Sequence, residues 1–217
     1  MIKNNMNVFL KPEIANAYDK YYQSSFGGKV DEIEKDIINR LINNIPKTEM
    51  LELGCGTGHW SDYFSNKGFK ITAIDASESM LDIAKSKGID ADFSIADAQN
   101  LPFKDDSFHI ISSITMLEFV DDQNAVIQEI YRVLKKDAWL VLGFLNEKSI
   151  LGTTKHNSET FKNANFLTKE IIKEKLDKFK IIDTKSGVYL NSDFIIMDDK
   201  DHGDIEPIFI VILAQKK

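Results

Sequence analysis

Two rhythms of apolar and polar residues alternate along this chain. Short, nearly continuous apolar runs occur at Met50–Leu53, Lys70–Ile74, Ala91–Ile95, His109–Ile114 and Trp139–Leu145. Runs of this length, with Ile110-Ile111 and Leu140-Val141-Leu142 inside them, predict strands of a sheet covered on both faces. Between them, His59–Asn66, Glu78–Lys87 and Gln123–Leu134 carry apolar residues at helical spacing. The last of these puts Val126, Ile127, Ile130, Val133 and Leu134 on one face. Such alternation predicts an α/β fold: a Rossmann-like, doubly wound, mostly parallel sheet with right-handed crossovers.

The two ends of the chain follow other patterns. Asp31–Ile45 reads as a helix with Ile33, Ile37, Ile38, Leu41 and Ile42 along one stripe, broken by Pro46. Ahead of it, Pro12–Phe26 is rich in aromatics: Tyr18, Tyr21, Tyr22 and Phe26. In the tail, a helix at about Thr168–Lys178 leads to strand-like runs at Ile181–Tyr189 and Ile208–Ala214, with the polar stretch Asp198–Asp204 between them. Two such runs predict an antiparallel C-terminal hairpin at a sheet edge, completing a seven-stranded sheet. With no internal repeat, residues 1–217 are expected to form a single domain: a helical lid over 1–45, a core over 46–145, and an acceptor-side loop, last helix and edge hairpin over 146–217.

Composition narrows the partners. Net charge is −7, and only Arg40 and Arg132 are arginines among 27 basic residues. Arginine is the usual bidentate reader of phosphates and guanine edges, so nucleic acid is a poor substrate for this chain. No apolar run approaches the length of a membrane span, and Met1–Asn7 lacks a signal-peptide core. The lone Cys55 excludes an internal disulfide and a multi-cysteine metal site, and it fits a reducing, cytoplasmic setting. No metal site is proposed, and His59, His156 and His202 have no partner visible in sequence.

The densest chemistry lies at Glu52-Leu53-Gly54-Cys55-Gly56-Thr57-Gly58, between a strand and a helix start. Such a turn brings bare backbone amides against a ligand, and Asp75, closing the next strand, suits a ribose with free hydroxyls. The glycine spacing is G-x-G-x-G rather than the G-x-G-x-x-G of dinucleotide sites. Glu52 would repel a pyrophosphate but accept hydrogen bonds from a cationic amino group or from local amides.

At this point the chain resembles class I S-adenosylmethionine-dependent methyltransferases, in particular the type 11, UbiE-like group, over about Tyr18–Leu145. The matching segments are Leu51–Gly58, Ile74–Ser77 with Met80-Leu81, Ala96–Phe103, and Asp105–His109 with the strand through Ile114. The resemblance implies S-adenosyl-L-methionine as cofactor and S-adenosyl-L-homocysteine as product. It implies that Gly54, Gly56 and Gly58, with Cys55 and Glu52, surround the methionyl end. Asp75 would hold the ribose hydroxyls, Ala76 and Met80 would line the adenine, and Asp97 beside Ala98 would bond its amine. The backbone from Ser113 through Ile114 would face the aminoacyl arm, and Tyr18, preceding Asp19, would close over the cofactor. Cys55, between glycines, reads as a small buried residue rather than a nucleophile.

The acceptor is less constrained. It is expected to be a small molecule or lipid-like, and Glu118, His156 and Tyr22 are the candidate catalytic groups. Glu118 departs from the family's commoner histidine-bearing pattern and reads first as a solvated loop acid. Asn146–Asn165 is long enough to be a lid or a disordered wall. The alternatives to a small-molecule methyltransferase are a non-catalytic S-adenosylmethionine-binding regulatory module, a nicotinamide-dependent oxidoreductase and a nucleic-acid methyltransferase. Oligomeric state is not readable from the chain.

Overall fold

The computed structural model describes residues 7–198 and 202–217. Seven strands form one sheet in the order β3-β2-β1-β4-β5-β7-β6. They are β1 (Glu49–Leu53), β2 (Lys70–Asp75), β3 (Ala91–Ile95), β4 (Phe108–Ile114), β5 (Leu134–Leu145), β6 (Phe179–Gly187) and β7 (Phe209–Lys216). β1 to β5 pair in parallel, while β7 runs antiparallel between β5 and β6. The expected parallel sheet with an antiparallel C-terminal pair is therefore present. Of the polar stretch expected to join that pair, Asp198–Asp204, residues 199–201 lie outside the described residues, as do residues 1–6 of the N-terminal stretch.

Alternate strand residues feed two cores, as the strand period of two requires. Met50, Ile71, Ile110, Val141 and Val211 face one side, packing with Ile37, Ile38, Leu41, Trp60 and Phe64. These belong to α2 (Ser25–Ile42) and α3 (His59–Asn66). Leu51, Leu53, Ile111, Leu140 and Ile212 face the other side. There they meet Val126, Ile130 and Val133 of α5 (Gln123–Val133) and Ile172 of α7 (Lys169–Lys175). Two further helices complete the site side: α1 (Pro12–Gln23) and α4 (Glu78–Ser86).

Several boundaries differ from the sequence expectation, and the larger differences are these. α2 begins at Ser25 rather than Asp31, with Ser24 accepting from the Gly27 amide. Gly27 marks a close approach: a Cβ there would stand 2.0 Å from the Tyr21 carbonyl oxygen. β5 begins at Leu134 rather than Trp139, because the charged Lys135-Lys136-Asp137 hides a strand that pairs Leu134 with Phe108. The tail helix is shorter than expected, running from Lys169 to Lys175 with Thr168 as its cap. Asn146–Asn165 is not an irregular lid: it holds α6 (Ile150–Thr154), whose Gly152 packs against the carbonyl of Glu147. Among the described residues, no helix is long and apolar enough to cross a membrane.

Candidate functional site

A cavity of about 320 Å³ opens at the carboxyl ends of β1, β2 and β4. This is the edge at which open α/β sheets place ligands. The floor is backbone. β1 ends in the glycine turn, where Gly54 has φ +71° and Gly56 φ +54°, values that favour glycine. At Gly54 a Cβ would also lie 2.2 Å from Met116 Cγ, so a side chain there would close the floor.

Asp75 organises that floor. Its Oδ2 accepts from the Gly56 amide and its Oδ1 from the Ser77 amide, each at 2.8 Å. One carboxylate thus ties the glycine turn to the turn that starts α4, and its remaining lone pairs are left for a ligand. Burial pushes the Asp75 carboxyl upward, and the amides of Ser77, Gly56 and Ala76 pull it back only in part. Ala76, Met80, Ala98 and Asp97 continue the wall. Asp97 shapes its own turn by accepting from the Gln99 amide at 2.9 Å.

The rim is made of side chains. A helical turn at Val8–Leu10 lays Phe9 edge-on against Tyr18 at 5.7 Å and against Phe119 at 4.7 Å. The Tyr18 and Tyr22 hydroxyls are 3.3 Å apart. Burial raises both phenols above their ordinary range, so they stay neutral. α1 is pinned over the glycine turn by Asp19, which accepts from Thr57 Oγ1 at 2.6 Å and pairs with Lys87 at 2.7 Å. The Tyr22 ring stacks on His59 at 3.7 Å and 7°.

The wall carries Asp75, Asp97 and Asp121 and, among the described residues, neither lysine nor arginine. A pyrophosphate would meet carboxylates with no guanidinium or ammonium to balance it. A ligand bearing a sulfonium and an amino group finds charge complementarity, and aromatic faces attract such a cation.

Most residues expected at the site meet there. Tyr18, Tyr22, Gly54, Cys55, Gly56, Asp75, Ala76, Met80, Asp97, Ala98 and Ile114 all line the cavity. Glu52, Gly58 and Ser113 stand behind the lining. Glu52 accepts from Ser61 Oγ at 2.6 Å, and burial pushes its carboxyl up to about 7. Gly58 backs onto Ala84 and Ile89, and Ser113 is buried in β4 with its hydroxyl unpaired among the described residues. Burial raises the Cys55 thiol well above its usual range, as suits a packing residue rather than a nucleophile.

Glu118 is not the solvated loop acid expected. It is fully buried, its Oε1 accepts from the Leu145 amide at 2.5 Å, and its Oε2 has no partner among the described residues. The segment has to turn inward there because Leu117 and Phe119 on either side are drawn into the core. His156 is exposed, and no residue of 146–165 lines the cavity. That segment supports the rim from behind, through Phe161 at 6.3 Å from Phe119. Phe9, His59, Trp60, Met116 and Phe119 were not legible as lining residues. Phe9 stands alone in sequence with no periodicity or motif to mark it, whereas His59 directly follows the glycine motif, a position that marks it only in retrospect.

Known proteins resemble this chain in sequence and in fold. Residues 51–142 match the Methyltransferase domain family. An uncharacterized protein of Methanocaldococcus jannaschii, MJ1123, is 33% identical over 97% of this chain and 100% of its own length. A demethylmenaquinone methyltransferase of Thermotoga maritima is 32% identical over 64% of this chain, which spans 61% of that enzyme. In three dimensions, a crystal structure of an S-adenosylmethionine-dependent methyltransferase from Thermotoga maritima, described as a possible histamine N-methyltransferase, superposes with a TM-score of 0.72. It is 26% identical and covers 95% of this chain and 98% of its own. A glycine floor closed by Asp75, a wall without cationic side chains and these likenesses converge: the chain belongs to the class I S-adenosylmethionine-dependent methyltransferases, with S-adenosylmethionine as its cofactor and S-adenosylhomocysteine as the product.

Proposed function

We propose that this methyltransferase acts on a small-molecule or lipid-like acceptor that enters beneath the aromatic rim. The observation that carries the reading is the rim itself. Phe9, Tyr18, Tyr22 and Phe119 converge over a cavity of about 320 Å³ and give it apolar, ring-faced walls. A nucleic acid would need cationic side chains at the mouth, and the wall has none among the described residues. In this reading Asp75 takes the ribose hydroxyls and Asp97 the adenine amine, while Met80 packs on the adenine ring. The backbone of Gly54–Gly56 approaches the methionyl end, and Tyr18 closes over it. Glu52 acts from behind, holding α3 through Ser61. The activated sulfonium asks of the protein mainly alignment in a dry site.

Likeness to the demethylmenaquinone enzyme supports a UbiE-like, quinol-type acceptor, and likeness to the possible histamine N-methyltransferase supports a small amine. The lone, buried Cys55 supports a cytoplasmic setting. The test is transfer of labelled methyl to a panel of oxygen, nitrogen, sulfur and carbon acceptors, with quinol precursors and histamine among them. Turnover confined to RNA, DNA or protein would overturn the small-molecule reading.

A further inference from the structure

His59 follows Gly58 directly and opens α3, so its ring is set at the junction of floor and rim. Its Nε2 lies 2.6 Å from Asp31 Oδ1 on α2. The other oxygen of Asp31 accepts from Lys35 Nζ at 2.7 Å. Burial works to raise the Asp31 carboxyl, but the bonds from His59 and Lys35 outweigh it and hold the group below its ordinary range. Asp31 is therefore an ionised, accept-only partner, and Nε2 must be the nitrogen that donates. Nδ1 has no hydrogen-bond partner among the described residues. The Tyr22 stack at 3.7 Å fixes the ring plane, and both rings line the cavity.

We propose that His59, oriented by Asp31 and Tyr22, is the general base of the methyl transfer, receiving the acceptor's proton on Nδ1. The inference rests on the small-molecule reading above. The balance is simple. The acceptor atom bonds the methyl carbon, the carbon–sulfur bond breaks with its electron pair going to sulfur, and the acceptor's proton passes to Nδ1. The imidazolium so formed sits against the Asp31 carboxylate, which offsets its charge. The site is thus matched to acceptors that keep a proton on a nucleophilic atom with a free lone pair, such as alcohol and phenol hydroxyls, rather than to preformed anions.

The experiment has two arms on the full chain. In the first, nitrogen-15-labelled histidine is observed with S-adenosylhomocysteine present. The expected His59 signals are a protonated Nε2 and a bare Nδ1, with that preference lost in Asp31→Asn. In the second, His59→Gln is compared with wild type on a phenol, which keeps its proton at neutral pH, and on the matching thiophenol, which largely loses it. The expected loss is about 100-fold on the phenol and smaller on the thiophenol. A protonated Nδ1, an equal loss on both probes, or a fall of roughly tenfold or more in S-adenosylhomocysteine affinity would each overturn the proposal. Should wild type methylate neither probe, the tautomer and the affinity decide it alone. Failure of the small-molecule reading looks different: wild type binds S-adenosylmethionine and methylates nothing in the panel, whatever His59 does.

Discussion

The two halves of the cavity are built from different materials. The half we propose for the donor is backbone and one short carboxylate: the Gly54–Gly58 turn, Asp75 and the turn at Asp97, each at the end of a strand. The half we propose for the acceptor is side chains from three separate stretches: Phe9, then Tyr18 and Tyr22, then Met116 and Phe119. Topology dictates the first half, since any sheet wound this way brings those strand ends together. Nothing in the topology dictates the second, which depends on how α1 is pinned to Thr57 and Lys87 and on how the 146–165 segment props Phe119. A donor half bound by sheet geometry and an acceptor half free to vary is how one fold serves many methyl acceptors.

The sharpest break is expected at Gly54. With φ +71° and Met116 Cγ 2.2 Å from the place of a Cβ, Gly54→Val forces strain and overpacking together. The expected cost is about 4 kcal/mol of stability, with loss of S-adenosylmethionine binding. Thermal unfolding and calorimetry measure both, and a stable variant with wild-type affinity would remove Gly54 from the floor.

Asp75→Ala separates binding from folding. It deletes the proposed ribose contact and leaves the Gly56 and Ser77 amides without their partner. Affinity for S-adenosylhomocysteine is expected to fall by at least about 100-fold, roughly 3 kcal/mol, with a smaller stability cost of about 1–2 kcal/mol. Unchanged affinity would refute the ribose assignment.

The contrast between the halves also explains what the sequence made legible. Gly54, Asp75 and Asp97 stand beside strand ends, so locating the strands located them. Phe9 reaches the cavity through its contact with Phe119, and the ring of His59, though it follows the glycine turn, is set by Asp31; both partners are remote in sequence. The same limit hid Glu118. A lone carboxylate in the short stretch after a strand reads as a solvated loop acid, and only the arrival of the Leu145 amide explains its burial. The apolar stripe that marks α2 starts only at Ile33, so its first turns from Ser25 carry no periodic signal, and Gly27 lets the Tyr21 carbonyl come close there.

Glu118 offers a test at the seam between the halves, since it ties the Leu117–Phe119 turn to the end of β5. Burial pushes its carboxyl from the ordinary 4.5 up to about 7. A carboxyl raised on folding binds its proton more tightly in the native state. Its stability contribution is therefore full below about pH 4.5 and declines as pH rises to about 7. Glu52, raised to about 7, and Glu34, raised to about 8, slope the same way. Glu118→Gln keeps an oxygen for the Leu145 amide and removes the charge. Its advantage over wild type is expected to grow from nothing in acid to about 3 kcal/mol at pH 8. Parallel pH–stability curves for the two proteins would show that Glu118 does not titrate.

The gentlest change probes the lid alone. Tyr18 contributes a ring against Phe9 and a hydroxyl to Tyr22, but no backbone to the floor. Tyr18→Ala should leave Asp75 and the glycine turn in place, so the donor still binds, with a dissociation rate raised about fivefold, on the order of 1 kcal/mol. Tyr18→Phe keeps the ring and loses only the hydroxyl contact at 3.3 Å, so it should retain most of the residence time. Stopped-flow release of S-adenosylhomocysteine distinguishes the two variants. If both release it at the wild-type rate, the rim does not close over the donor. The aromatic half would then belong to the acceptor entirely, and His59 with it, since the Tyr22 stack links that ring to α1 rather than to the floor.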